Sequence, residues 1–155
     1  GHRSCDVCLS PQKTKKEKNI CPKCKKQLTI GVLHRVDDLA DREEKNILTD
    51  KFIPHKYIVP LKEIIAKVFG MGVKSKRVAN EYNDLIKNLG SDLNIILETP
   101  EKEIAKIVND QDIVQAIQNV RSGRVKVHPG YDGVYGKVEV LAAGEIKKNS
   151  QRSLL

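Results

Sequence analysis

Cys5-x2-Cys8 and Cys21-x2-Cys24 hold all four cysteines of the chain, with twelve residues between the pairs. Two thiolates two residues apart can grip one ion from a tight turn. A second such pair completes a tetrahedron of soft ligands, which suits Zn²⁺. The spacing therefore predicts a structural zinc held by Cys5, Cys8, Cys21 and Cys24. Four protein ligands leave no position for water, so the ion would not be catalytic. His2, three residues before Cys5, could replace Cys8 as a ligand. A redox C-x-x-C would need a thioredoxin-like strand and helix around it, and none is visible. Two disulfides would need an oxidising compartment. Only Leu9 and Ile20 are apolar between the pairs, too few for a core. Metal binding must then supply the folding energy, on the order of 10 kcal/mol for small sites.

Charge is concentrated in the same piece. The chain of 155 residues is +8, and residues 1–29 hold eight Lys or Arg against Asp6 and Glu17. That segment is +6, and the other 126 residues carry +2. Basic charge beside the cysteines points to a polyanion, most simply nucleic acid. The candidate contacts are Lys15, Lys16, Lys18, Lys25 and Lys26.

The elements that must position these groups follow from periodicity. Leu28-Thr29-Ile30 could finish the ribbon as a strand. Val32, Leu33, Val36, Leu39 and Ala40 recur at helical spacing, predicting an amphipathic helix that ends near Arg42. His34 and Arg35 on its polar face are candidate phosphate or base contacts, beside Asp37, Asp38 and Asp41. Residues 43–59 read as a loop with extended pieces. Pro60 starts a helix with the stripe Leu61, Ile64, Ile65 and Val68. Val78, Tyr82, Leu85, Ile86 and Leu89 mark the next helix, which Gly90 stops. The apolar run 92–98 is read as a strand. Thr99-Pro100-Glu101 opens a further helix, and Ile113, Val114, Ile117 and Val120 mark another. Alternation at 125–127 and 137–140 around the turn-rich HPGYDGVYG predicts a β-hairpin. Residues after Leu141 read as a tail or linker.

Between the first two long helices lies Gly70-Met71-Gly72, followed by Lys74, Lys76 and Arg77. A helix, Gly-apolar-Gly and a second helix form the pattern of a helix-hairpin-helix. There the glycines let a turn approach a DNA phosphate, which backbone N–H groups then bind. The plain alternative is a tight turn between two core helices. The four histidines are too scattered for a two-metal nuclease centre. Neither a G-x-S-x-G elbow nor a G-x-x-x-x-G-K-[ST] loop occurs, so no catalytic residue is assigned. No run of 18 apolar residues occurs to span a membrane, and the first residues lack the apolar stretch of a signal peptide. A cytoplasmic protein is expected.

Three blocks carry a resemblance: CPKCKKQLTIGVLHRVDDLADRE at 21–43, the stretch from YIVPLKEII through NEYNDLIKNLGSDLNIIL at 57–97, and VHPGYDGVYGKV at 127–138. In this order they resemble the C-terminal half of the endonuclease Q family, DNA-repair nucleases of archaea and some bacteria. The resemblance implies an upstream catalytic domain of the PHP phosphoesterase type and incision beside a deaminated base. It implies that the zinc module and helical domain help to hold DNA and frame the flipped base. The catalytic domain is missing here, so the fragment should be inactive as a nuclease and is expected to be monomeric. In some bacterial relatives the same unit resembles a front end fused to a UvrD-like helicase.

The expected fold class is α+β. A four-cysteine, zinc-ribbon-like module at 1–29 precedes a mainly helical DNA-binding domain at 30–123. A β-hairpin follows at 124–141 and a tail at 142–155. The expected function is a DNA-binding accessory part of a repair nuclease or nuclease–helicase. The rival is a zinc-stabilised interaction module that docks the catalytic domain or another partner.

Overall fold

The computed structural model describes residues 1–42 and 53–141. It is α+β and mostly helical. The element order is α1 (Pro11–Lys16), α2 (Val32–Leu39), α3 (Leu61–Phe69), α4 (Lys76–Leu89), α5 (Asp92–Leu97), α6 (Glu101–Ile107), α7 (Asp112–Arg121), β1 (Lys126–His128) and β2 (Lys137–Glu139). The chain forms two units. One runs over Gly1–His55 and Val127–Lys137, the other over Lys56–Lys126 and Val138–Leu155.

The second unit holds the aliphatic core. Leu61, Ile64 and Ile65 of α3 recur at helical spacing and are fully buried. Val78 and Leu85 of α4 and Ile113 and Ile117 of α7 are buried in the same cluster. α3 packs on α4 and α7, while α4 also meets α5 and α6. The turn between α3 and α4 needs Gly70, whose φ of 62° ends α3 in the left-handed region. Ser75 then caps α4, its hydroxyl accepting from the Val78 N–H at 3.4 Å.

Residues 92–97 are helical, contrary to the strand expected there. Ser91 supplies an N-cap, accepting from the Asn94 N–H at 3.4 Å, and Asp92 sits in the first turn. Ile95 and Ile96 are both buried while Leu93 is 54% exposed, so only part of the apolar run packs into the core. A short apolar run does not distinguish the two states. α6 begins one residue later than the cap expected at Thr99, with Pro100 in the N-cap position. α2 ends at Leu39 rather than near Arg42. Leu28–Ile30 is not a strand; the ribbon pairing there is the single bridge Ile20↔Gln27. The expected loop at 43–59 lies partly, and the tail at 142–155 wholly, outside the described residues.

Two polar side chains, buried Glu81 and half-buried Arg121, fasten the core. The Glu81 carboxylate accepts from the Asn109 backbone N–H and from Asn109 Nδ2, both at 3.1 Å. Arg121 donates to the carbonyls of Ile96 (2.7 Å), Ile95 (2.7 Å) and Thr99 (2.6 Å). One guanidinium thus satisfies carbonyls at the end of α5 that no helical N–H reaches. Arg121→Met is expected to destabilise the chain by about 2–3 kcal/mol in urea unfolding, because charged hydrogen bonds are lost and carbonyls are left unpaired. Exposed Lys87→Met should change stability by less than about 0.5 kcal/mol.

Candidate metal centre and basic surface

The first unit is built on two turns of the same design. In the first, the His2 N–H donates to the Val7 carbonyl at 2.8 Å and the Cys5 N–H to the His2 carbonyl at 3.2 Å. Asp6 follows in the left-handed region, φ 50°. In the second, the Cys21 N–H donates to the Lys26 carbonyl at 2.7 Å and the Lys25 N–H to the Cys21 carbonyl at 2.9 Å. Lys25 is the left-handed residue, φ 62°. Each turn presents one donor at its start and a second three residues on. The repeating pair is therefore His2-x2-Cys5 and Cys21-x2-Cys24.

The ligand atoms of His2, Cys5, Cys21 and Cys24 all lie within 4.8 Å of one another. His2 Nδ1 is 3.3 Å from Cys24 Sγ. Three sulfurs and one imidazole nitrogen so close together can hold a metal ion. Cys8, expected as the fourth ligand, is exposed and stands outside this group; His2 is in it. The sequence carried a signal for this: Asp6 follows Cys5 as Lys25 follows Cys24, and an Asp is comfortable at a left-handed position.

The thiols differ in acidity. The Cys24 thiol, burial and the Cys21 thiol push Cys5 up to about 11. Burial opposes ionisation of Cys21, yet the backbone N–H groups of Cys24 and Lys23 outweigh it and bring this thiol down to about 6. Cys21 is thus the first anchor for a cation. Nearby, Lys23 Nζ donates to the Cys5 carbonyl at 2.7 Å and ties the two turns together.

The GYDG loop, which reads from sequence as a plain hairpin turn, fastens this centre. Tyr131 and Val134 pair across Asp132 (φ 44°) and Gly133 (φ 76°), a two-residue turn that needs left-handed backbone at both central positions. Asp132 accepts from the Arg3 backbone N–H and from the Thr29 hydroxyl, both at 2.6 Å. Those two bonds hold its carboxyl below the ordinary range. The Tyr131 hydroxyl donates to Asp6, the left-handed residue of the first turn.

The lysines between the turns are not a bare loop. Ser10 caps α1, accepting from the Lys13 N–H at 3.3 Å. Lys15, a candidate phosphate contact, instead bridges Asp37 (2.6 Å) and Asp38 (2.7 Å) of α2. Those carboxylates raise its pKa, and it in turn lowers that of Asp38. Lys16, Lys18, Lys25, Lys26 and Arg35 are exposed. His34 Nδ1 lies 3.2 Å from Asp38 Oδ2. In the second unit, Gly70, Gly72, Lys74, Lys76 and Arg77 gather at the α3–α4 turn, and the Arg77 guanidinium sits 4.0 Å from the Phe69 ring centre.

Residues 60–124 match the MJ0043 C-terminal domain. An uncharacterised protein of Methanocaldococcus jannaschii, MJ0043, is 32% identical over 76% of this chain and 14% of its own length. The uncharacterised YqxK of Bacillus subtilis is 25% identical over 88% of this chain and 31% of its own. The chain is similar in fold to endonuclease Q. The lesion-specific endonuclease PfuEndoQ from Pyrococcus furiosus aligns with a TM-score of 0.73 and 30% identity, over 90% of this chain and 34% of the other. Endonuclease Q in complex with a 27-mer duplex bearing an abasic lesion aligns with a TM-score of 0.71 and 28% identity, over 97% and 36%. The chain therefore spans between about a seventh and about a third of the length of these proteins.

Zinc titrated into the metal-free chain should bind one ion per chain, read by a chromophoric chelator. His2→Ala, Cys5→Ser, Cys21→Ser and Cys24→Ser should each weaken retention at least tenfold, while Cys8→Ser should match the parent. Because Cys21 is depressed, its thiolate is present above about pH 6 and lost below. Zinc uptake by the metal-free chain should accordingly fall as pH drops through that value.

Proposed function

We propose that this chain is a DNA-holding part of a repair endonuclease whose catalytic residues lie outside these 155 residues, and that its metal is a structural Zn²⁺. The observation that carries this reading is the fold similarity to two endonuclease Q structures at 30% and 28% identity, one of them bound to duplex DNA. The donor set of three thiolates and one imidazole suits zinc, and four protein donors close the site to water. The zinc's part is to fix the shape of the segment, not to activate a nucleophile.

The residues themselves would bind and orient. Lys16 at the end of α1, Lys18 just after it, and Lys25 and Lys26 in the second turn are exposed, where ammonium groups can meet phosphates. Arg35 adds to this surface. Lys15 helps indirectly, by holding α1 against α2. In the second unit the glycine turn with Lys74, Lys76 and Arg77 offers backbone N–H groups and charge to a further phosphate; no comparison marks it as a helix-hairpin-helix. Such contacts fix position without reading sequence. An upstream PHP-type domain and strand incision beside a deaminated base belong to the same proposal. The UvrD-like helicase attachment has no support in this fold or in these similarities and is no part of it.

Binding of the chain to a duplex with an abasic site should weaken steeply between 50 and 200 mM salt, measured by fluorescence anisotropy. Reversing Lys16, Lys18, Lys25 and Lys26 to Glu should cost at least tenfold and flatten the salt slope by about one unit per lost phosphate contact. Affinity indifferent to both salt and these reversals would overturn the reading. Lys15→Glu is excluded from the set because it would break the α1–α2 contact.

A further inference from the structure

α2 presents its apolar stripe to water. Val32 is 80% exposed, Leu33 64%, Val36 55% and Leu39 66%. Its polar side instead faces α1, through Lys15 with Asp37 and Asp38 and through Gln12 Nε2 donating to Asp37 Oδ1 at 2.7 Å. The helix is seated by its charges and leaves its hydrophobic face uncovered, the reverse of an ordinary surface helix.

The stripe runs into a cleft. Val32 and Leu33 line a cavity of about 630 Å³ in the same unit, walled also by Leu9, Pro11, Ile30 and Tyr131. His34 lines it as well. The Asp38 carboxylate beside Nδ1 favours the tautomer with its proton there, which leaves Nε2 as an acceptor. His34 Nε2 is buried and has no hydrogen-bond partner among the described residues. A buried acceptor of this kind calls for a donor that the described residues do not supply.

We propose that the cleft and the α2 stripe together seat an apolar polypeptide segment of the same gene product, lying outside these 155 residues, which brings an N–H or O–H donor to His34 Nε2. This rests on the reading that the chain is one part of a longer nuclease, but not on its binding DNA. Length supports the occupant: the chain spans 34% and 36% of the endonucleases it resembles, so about two thirds of such a protein lies elsewhere. Chemistry argues against nucleic acid here. The cleft wall contributes no Lys or Arg side chain and holds one carboxylate, Asp132, so it offers phosphate little to pair with.

The test is site-specific photocrosslinking in the full-length gene product, with p-benzoylphenylalanine at Val32 and, as a control, at Tyr135, which is 94% exposed. Mapping by mass spectrometry should place the Val32 crosslinks on residues outside the 155, within a monomer, with no such product from Tyr135. Val36→Lys with Leu39→Lys should lower the Val32 yield at least tenfold while zinc content is unchanged. Crosslinks confined to these 155 residues, to a second copy or to DNA, or no crosslinks at all, would overturn the proposal. DNA affinity of the same preparations separates the two readings. Crosslinking lost with salt-dependent DNA binding intact removes only the docking surface, and the reverse result removes only the DNA-holding role.

Discussion

The first unit depends on the convergence of His2, Cys5, Cys21 and Cys24. Apart from Cys21 itself, its buried apolar cluster consists of Val7 and Leu28, with Cys5 and Leu9 packed against it. Burial of two or three such side chains offsets a few kcal/mol. Ordering the backbone costs about 1–2 kcal/mol for every residue fixed. A segment of some forty residues cannot be held by that core. An ion held by the donor cluster would carry the difference, as in other small domains organised by metal. The helical unit has no such need, since α3, α4 and α7 bury a continuous aliphatic core of their own.

The same constraint explains why a loop from far along the chain returns to residues 1–29. The two turns fix Asp6 and Lys25 in the left-handed region, and Asp6 then offers its carboxylate to the Tyr131 hydroxyl. Asp132 reaches Arg3, which lies between His2 and Cys5, and Thr29, which follows the second turn. The hairpin loop is thus shaped to the outcome of ligand convergence. Loss of the cluster would release the loop, because its partners are positioned by nothing else of comparable strength.

What was legible in the sequence follows from which interactions are local. The stripes of α3, α4 and α7 and the hairpin were readable because period and turn chemistry are local properties. The cysteine spacing was readable as a candidate metal centre for the same reason. The place of His2 in that centre was harder to read, because C-x2-C pairs draw attention from the H-x2-C that overlaps one of them. The helix at 92–97 was missed because its apolar residues, the buried Ile95 and Ile96 and the exposed Leu93, trace no single stripe over six residues, leaving the Ser91 cap as the guide. The role of Lys15 was unreadable: its partners Asp37 and Asp38 lie 22 and 23 residues away, and only the fold brings them within 2.7 Å. Nor could periodicity tell that the α2 stripe faces water, since a stripe shows that a helix has two faces and not which one the unit buries.

That orientation of α2 follows from the charge distribution. α1 is a two-turn helix with Lys13, Lys15 and Lys16 in its last turn. It offers few apolar atoms, so a neighbouring helix can meet it favourably only through carboxylates. Asp37 and Asp38 are adjacent on α2 and opposite in sense to Val32 and Val36. Once they engage Lys15, rotation of the helix is fixed and the apolar stripe has to point away. The neighbouring Lys16 and Lys18 are exposed to solvent, while Lys15 takes both carboxylates. One ion-paired lysine therefore separates the unit into two surfaces of different chemistry, one basic and hydrated, the other apolar and uncovered. A polyanion and an apolar chain segment can then occupy it without competing.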